Sequence, residues 1–282
     1  MRTDAKKTVT NLEQACMVIV APNGARKNKL DHPALPITPD EIAEDVAQCV
    51  AAGASMVHLH ARTESGRHSL EVDDNRMVMA AVKERMGDDV VIQLTTEAVG
   101  IYQPEQQMHL IRTLKPEAAS FALSELIPDP SHEAQASEFF HWVAQEGIIA
   151  QYIVYSAEQL AYYLDLRERR LLPANKHHLL LVLGRYHKVQ ESEPSDLKPF
   201  IHLIEQLDKI RWAVCAFGKK EQDCLVAAAE LGGDLRIGFE NNLFTHSGEL
   251  AKNNAAQVAG MITRLQQIER VAISTKQLRD QF

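Results

Sequence analysis

The feature that most constrains this chain is an alternation. Eight short, apolar, β-rich runs are separated by longer stretches of helical period. The runs are CMVIVAP (16–22), SMVHLHAR (55–62), VVIQLTT (90–96), AASFALS (118–124), IIAQYIVYS (148–156), HLLLVLG (178–184), IRWAVCAFG (210–218) and DLRIGFENN (234–242). Among the intervening helices, the one after ITPDE has Thr38 as N-cap, Pro39 at its first position and Gly53 at its end. EQDCLVAAAELGGD stops at Gly232 and Gly233, a C-cap signal. QPEQQMHLIRTLKPE and PSDLKPFIHLIEQL follow the same pattern. Strands alternating with helices predict a parallel sheet, and eight strands are the number that closes a (β/α)8 TIM barrel. An open doubly wound sheet is the alternative. No G-x-G-x-x-G turn follows the first strand, which weakens its dinucleotide-binding form.

Size and composition agree with one barrel domain over residues 1–282, since such barrels average about 250 residues. No internal repeat, linker or composition shift divides the chain. A net charge of −8 and the lack of a basic cluster exclude general nucleic-acid or anionic-membrane binding. The apolar run from Ala15 to Pro22 is too short for a membrane span and lacks a signal-cleavage pattern. Cys16, Cys49, Cys215 and Cys224 form no C-x-x-C pair and lie in apolar contexts, so a soluble protein of the reducing cytoplasm is expected.

Barrel chemistry resides at the C-terminal ends of the strands, and in this sequence those ends are polar throughout. They carry Asn23 and Arg26; His58, His60 and Arg62; Thr95, Thr96 and Glu97; Ser120, Ser124 and Glu125; and Gln151, Tyr155 and Ser156. The last three read GRYHK, GKKEQ and RIGFENN. In an extended chain, residues two apart share a face. His58 and His60 therefore converge, a chelate geometry if that face looks into a cavity. Along the eighth run Arg236, Gly238, Glu240 and Asn242 share one face, and strand 8 of a closed barrel lies one strand away from strand 2. Two imidazoles and a carboxylate make a His2Glu set with positions left open for substrate. Each candidate also has an ordinary reading. A strand histidine is often structural, Glu240 suits a salt bridge with Arg236 four residues earlier, and threonines favour sheets.

These motifs resemble the β-keto acid cleavage enzymes. The resemblance runs through APNGARKNKLDHPALP, ITPDEIAEDVAQCVAAGASMVHLHAR, QLTT, KPEAASFALSELIPD and ELGGDLRIGFENN. The combination of H-x-H with a late R-x-G-x-E-[DN]-N is its specific part. It implies a (β/α)8 barrel binding zinc or another divalent transition metal through His58, His60 and Glu240. It implies condensation of a β-keto acid with acetyl-CoA, giving acetoacetate and a new acyl-CoA, and it implies a homotetramer. Arg236 matches the family arginine that organises proton transfer, and Thr95 the substrate-contacting hydroxyl. Thr96, Ser120, Ser124 and Tyr155 are further substrate-side candidates.

The chain departs from the family where others read E-D-N. Here Asn241 follows Glu240, and an asparagine cannot act as a base, although it can orient water or substrate. Glu97, in phase with Thr95, is the expected base. The fifth run holds no carboxylate for an ammonium, which disfavours cationic substrates. Arg26 suits a substrate carboxylate or a solvated loop. Arg185, Lys188, Lys219 and Lys220 sit where CoA phosphates could be met, although exposed lysines are usually only solvated. Alternatives are a metal-dependent aldolase or hydrolase without CoA, and an inactive metal-containing binding protein.

Overall fold

A computed structural model describes residues 15–174, 177–185, 189, 191–206 and 210–282. Eight parallel strands close a barrel: β1 Val18–Val20, β2 Met56–Leu59, β3 Val91–Leu94, β4 Ala118–Ala122, β5 Ile149–Val154, β6 His177–Leu183, β7 Arg211–Ala216 and β8 Asp234–Ile237. Closure comes from β1, whose Val20 pairs with Val57 of β2 on one side and Ile237 of β8 on the other. The (β/α)8 expectation is met, and the open doubly wound sheet is overturned by that closure.

Helices follow the strands: α1 Pro39–Ala51, α2 Val72–Met86, α3 Pro104–Leu114, a single turn α4 Leu123–Leu126, α5 Glu133–Gln145, α6 Ala157–Glu168, α7 Lys198–Ile204, α8 Glu221–Glu230, α9 Asn254–Gln267 and α10 Thr275–Arg279. Local chemistry sets their starts. Thr38 and Glu41 form a reciprocal capping box ahead of α1, with Pro39 at the first position, as its sequence predicts. Gln103 and Gln106 do the same for α3. Within PSDLKPFIHLIEQL, Pro194–Leu197 is a 3-10 turn leading into α7, and Leu207 lies outside the described residues.

Strand alternation sorts the interior into levels. Outward-facing Val18, Val57, Leu59, Phe121 and Tyr152 are buried under the helices. Inward-facing Met17, Ile19, Met56, Val91, Ala118 and Ile149 fill the N-terminal end, where Ile273 and Leu278 close it from below. Each of the larger buried side chains among them, Met, Ile, Val or Leu, contributes about 1.5–3 kcal/mol. Above them the inward positions turn polar: His58 pairs in register with Gln93, Ser120 with Gln151, and Gln151 with His178. Higher still the wall divides. Ala122, Ile153, Val182, Cys215 and Phe217 make an apolar half on β4–β7, opposite the histidines of β2.

Every strand ends before its apolar run does, and two of these endings shape the site. β4 ends at Ala122, and Leu123 and Ser124 begin the α4 turn. β8 ends at Ile237. Gly238 has φ +142°, and a Cβ there would overlap the Ala21 carbonyl. Its own carbonyl accepts from Asn241 N (2.9 Å) and Asn242 N (3.1 Å), so residues 238–242 turn rather than extend. The shared face expected for Arg236 through Asn242 is therefore replaced by a turn that carries Glu240 back over the barrel mouth.

Candidate active site

The mouth holds a cavity of about 310 Å³. Its centre is His58, His60 and Glu240, whose ligand atoms all lie within 4.8 Å of one another. His58 Nε2 is 3.0 Å from His60 Nε2, and Glu240 Oε2 is 3.3 Å from His60 Nε2 and 3.7 Å from His58 Nε2. The other face of His58 is fixed by Gln93, whose Oε1 is 2.7 Å from Nδ1. A neutral His58 thus donates Nδ1–H to Gln93 and presents the Nε2 lone pair inward, the arrangement usual for a metal-ligating imidazole. Burial, reinforced by the Arg236 charge, keeps the His58 pKa well below its ordinary value.

Glu240 divides its two oxygens. Oε1 accepts from Arg236 Nη2 at 3.2 Å, while Oε2 is buried and makes no hydrogen bond of good geometry. Burial alone would raise its pKa. The Arg236 guanidinium outweighs that and holds it well below the usual carboxylate range. The salt-bridge and ligand readings of Glu240 are compatible, one on each oxygen. A buried, anionic, unsatisfied oxygen beside two imidazole nitrogens fits a divalent cation of the zinc type.

The backbone at Glu240 is gripped from three sides. Its N–H donates to Ala21 O (3.1 Å), its carbonyl accepts from Lys27 Nζ (2.6 Å), and Gly24 packs so closely that a Cβ would strike the Glu240 side chain. Glu221, fully buried and pushed up to about 8 by that burial, braces the turn by accepting from Gly238 N (3.3 Å) and Asn242 Nδ2 (3.2 Å). Arg62 spends its guanidinium on backbone carbonyls of Asn23, Gly24, Lys27 and Gly66. It locks the loop after β1 to the hairpin after β2 and is unavailable to substrate.

Around this centre the cavity takes in Arg236, Thr95, Glu97, Arg26 and Tyr155, as their positions in the sequence suggest. Glu97 Oε1 pairs with Arg185 Nη2 at 2.8 Å, and Arg26 Nη2 approaches it at 3.8 Å; Oε2 lies 3.9 Å from His60 Nδ1. Arg26 is 60% exposed. Ile153, Tyr155, Val182 and Phe217 form the opposite wall.

Four predicted residues do not line the cavity. Thr96 Oγ1 donates to Ser120 O (2.8 Å) and ties β3 to β4. Ser120 is buried within the barrel, at the level of Gln151. Ser124 is exposed on α4 because β4 has already ended. Asn241 is buried with neither amide atom hydrogen-bonded and does not line the cavity. Conversely, Gln93 and Lys27 belong to the site and were not singled out by sequence. Gln93 shares the alternation of Thr95, so its inward direction is readable. Lys27 only follows Arg26 in a basic loop, and no spacing rule marks it. Lys188 lies outside the described residues. Lys220 is paired with Glu193 at 2.6 Å.

Fold and site define a (β/α)8 barrel whose mouth places a two-histidine, one-carboxylate donor set beside a buried arginine. The chain belongs to the beta-keto acid cleavage enzyme family, whose sequence model matches residues 15–282. It is 25% identical over 253 residues to a 3-keto-5-aminohexanoate cleavage enzyme of Fusobacterium nucleatum, covering 88% of this chain and 90% of that one. It is 25% identical over 276 residues to a 3-oxoadipate:acetyl-CoA acetyltransferase of Cupriavidus necator, covering 95% and 94%. Among solved structures, a binary complex of ObcA with oxaloacetate superposes with a TM-score of 0.71 at 20% identity, covering 89% of this chain and 67% of that one, a likeness of fold.

Proposed function

We propose that this enzyme condenses a β-keto acid with acetyl-CoA and releases acetoacetate and a new acyl-CoA. The observation that carries the reading is the convergence of His58, His60 and Glu240 on one point beside Arg236, in a chain of this family. Relatives whose names include acetyl-CoA support the co-substrate. The donor set would hold zinc or another divalent transition metal, which supplies Lewis acidity toward the ketone oxygen.

The remaining roles fall to side chains of the chain itself. Glu97 removes a proton from the carbon between ketone and carboxylate. The resulting carbanion attacks the acetyl carbonyl, and CoA leaves as thiolate. That thiolate adds to the original ketone carbon, the old carbon–carbon bond breaks as the thioester forms, and the expelled carbanion takes back the proton held by Glu97 to leave as acetoacetate. Arg236 stabilises the oxygens that become negative at each addition, and Thr95 offers its hydroxyl to the substrate. The wall of Ile153, Val182 and Phe217 receives an uncharged substrate tail, while Arg26 at the rim attracts its carboxylate. Four buried free thiols support a reducing compartment such as the cytoplasm.

The test incubates the purified protein with acetyl-CoA and neutral, anionic and cationic β-keto acids, with a chelated sample in parallel. Mass spectrometry should find acetoacetate together with the matching acyl-CoA, most from a neutral acid and none after chelation. Products formed without acetyl-CoA would instead point to an aldolase or hydrolase. Metal binding without turnover would point to a binding protein.

A further inference from the structure

A second groove of about 780 Å³ opens beside the cavity and shares Ala25, Arg26 and Lys27 with it. It runs between the loop after β1 and the hairpin after β2. Five cationic side chains line it, Arg26, Lys27, Lys29, Arg62 and Arg67, against two carboxylates, Glu41 and Glu64. Three of the five are engaged within the protein: Arg62 with backbone carbonyls, Lys27 with Glu240 O, and Lys29 with Glu41 at 2.8 Å. Arg26 has only a distant carboxylate in Glu97. Arg67 donates to Ser65 Oγ (3.2 Å), and no carboxylate among the described residues lies within ion-pair distance of it.

The rim of this groove is also apolar. Leu30 is 96% exposed and Ile101 is 65% exposed, an unusual state for two large aliphatic side chains beside a site. Ile101 is presented by a strained turn, in which the β-branched Val99 adopts φ +46° and Gly100 φ +80°. A cationic groove with an aliphatic rim suits a ligand that carries phosphates and a flat base together.

The other basic rim of the mouth is electrostatically wrong for such a ligand. Lys219 and Lys220 share their depression with Glu191, Glu193 and Asp196, and Lys220 is already paired with Glu193. Three carboxylates against two lysines repel polyphosphate.

We propose that the phosphate-bearing end of acetyl-CoA lies in the groove between the β1 loop and the β2 hairpin, with Arg67 toward its phosphates and Leu30 and Ile101 against its base. The pantetheine arm then passes along the shared stretch at Ala25–Lys27 and delivers the thioester to the cavity. This rests on the co-substrate reading above.

The test compares acetyl-CoA with S-acetylpantetheine, which keeps the thioester arm and lacks the nucleotide. The readout is the ratio of the two kcat/KM values. Arg67→Ala is expected to lower that ratio about fivefold and Arg67→Glu about twentyfold, with the loss shrinking as salt is raised. Lys220→Glu, on the other rim, is expected to lower it less than Arg67→Glu does. A ratio insensitive to Arg67, or one that falls further in Lys220→Glu, overturns the groove while leaving acetyl-CoA as co-substrate. No turnover of acetyl-CoA by the unaltered enzyme overturns the co-substrate reading and the groove with it.

Discussion

Glu240 shows how much one residue does here. Its two oxygens answer to different neighbours, one to Arg236 and the other to the histidines, and its backbone is held by Ala21 and Lys27. Glu97 is the corresponding residue across the cavity, clamped by Arg185 yet reaching toward His60. If Glu97 is the base, Glu97→Gln keeps the shape and most hydrogen bonds but cannot accept the proton. Its kcat should fall about 100-fold or more, with bound metal, read by atomic emission, unchanged. Full turnover would remove Glu97 from the chemistry and leave it as the anchor of Arg185. The convergence of His58 and His60 was legible in the sequence because H-x-H needs only strand alternation, whereas Glu240 was named on an extended-strand reading that the turn after β8 replaces. Glu97 was legible by phase with Thr95. Lys27 was not, since a loop lysine becomes a site residue only through the fold of the loop around Glu240.

At the scale of elements, the turn after β8 decides the site. A straight strand would have kept Glu240 in line with Arg236 and Asn242, and the sequence favoured that extension because DLRIGFENN alternates well. Two facts defeat it: Gly238 adopts a backbone conformation open mainly to glycine, and Ala21 presses where a Cβ would sit. Gly238→Ala is therefore expected to destabilise the protein by about 2 kcal/mol or more in chemical unfolding. It should also weaken metal retention, because the displaced turn carries Glu240. A variant within about 0.5 kcal/mol of the unaltered protein would show that the turn is more tolerant than its contacts imply. The same shortening of strands moved Ser124 to the surface on α4. Composition alone does not reveal such endings, because apolar character continues past the last ladder hydrogen bond.

For the whole molecule, eight strand–helix alternations favoured a closed barrel but also fit an open doubly wound sheet, and the pairing of β1 with both β2 and β8 decides between them. What alternation did not foretell is the asymmetry of the mouth: charged donors on β2, β3 and β8 face an apolar wall on β5–β7. On the proposed reading, that division would receive the carbonyl and carboxylate of the substrate at one end and an uncharged tail at the other. The cationic groove beside β1 and β2 adjoins this mouth, and it is the approach we propose for acetyl-CoA. Such an enzyme exchanges acyl groups between two carbon skeletons, and isotopes report the exchange directly. The decisive measurement supplies a neutral β-keto acid carrying carbon-13 at its carboxylate and adjacent carbon, with unlabelled acetyl-CoA and the metal-replete protein. The account predicts acetoacetate carrying both labels and an unlabelled new acyl-CoA. Unlabelled acetoacetate, or labelled carbon in the acyl-CoA, would contradict it.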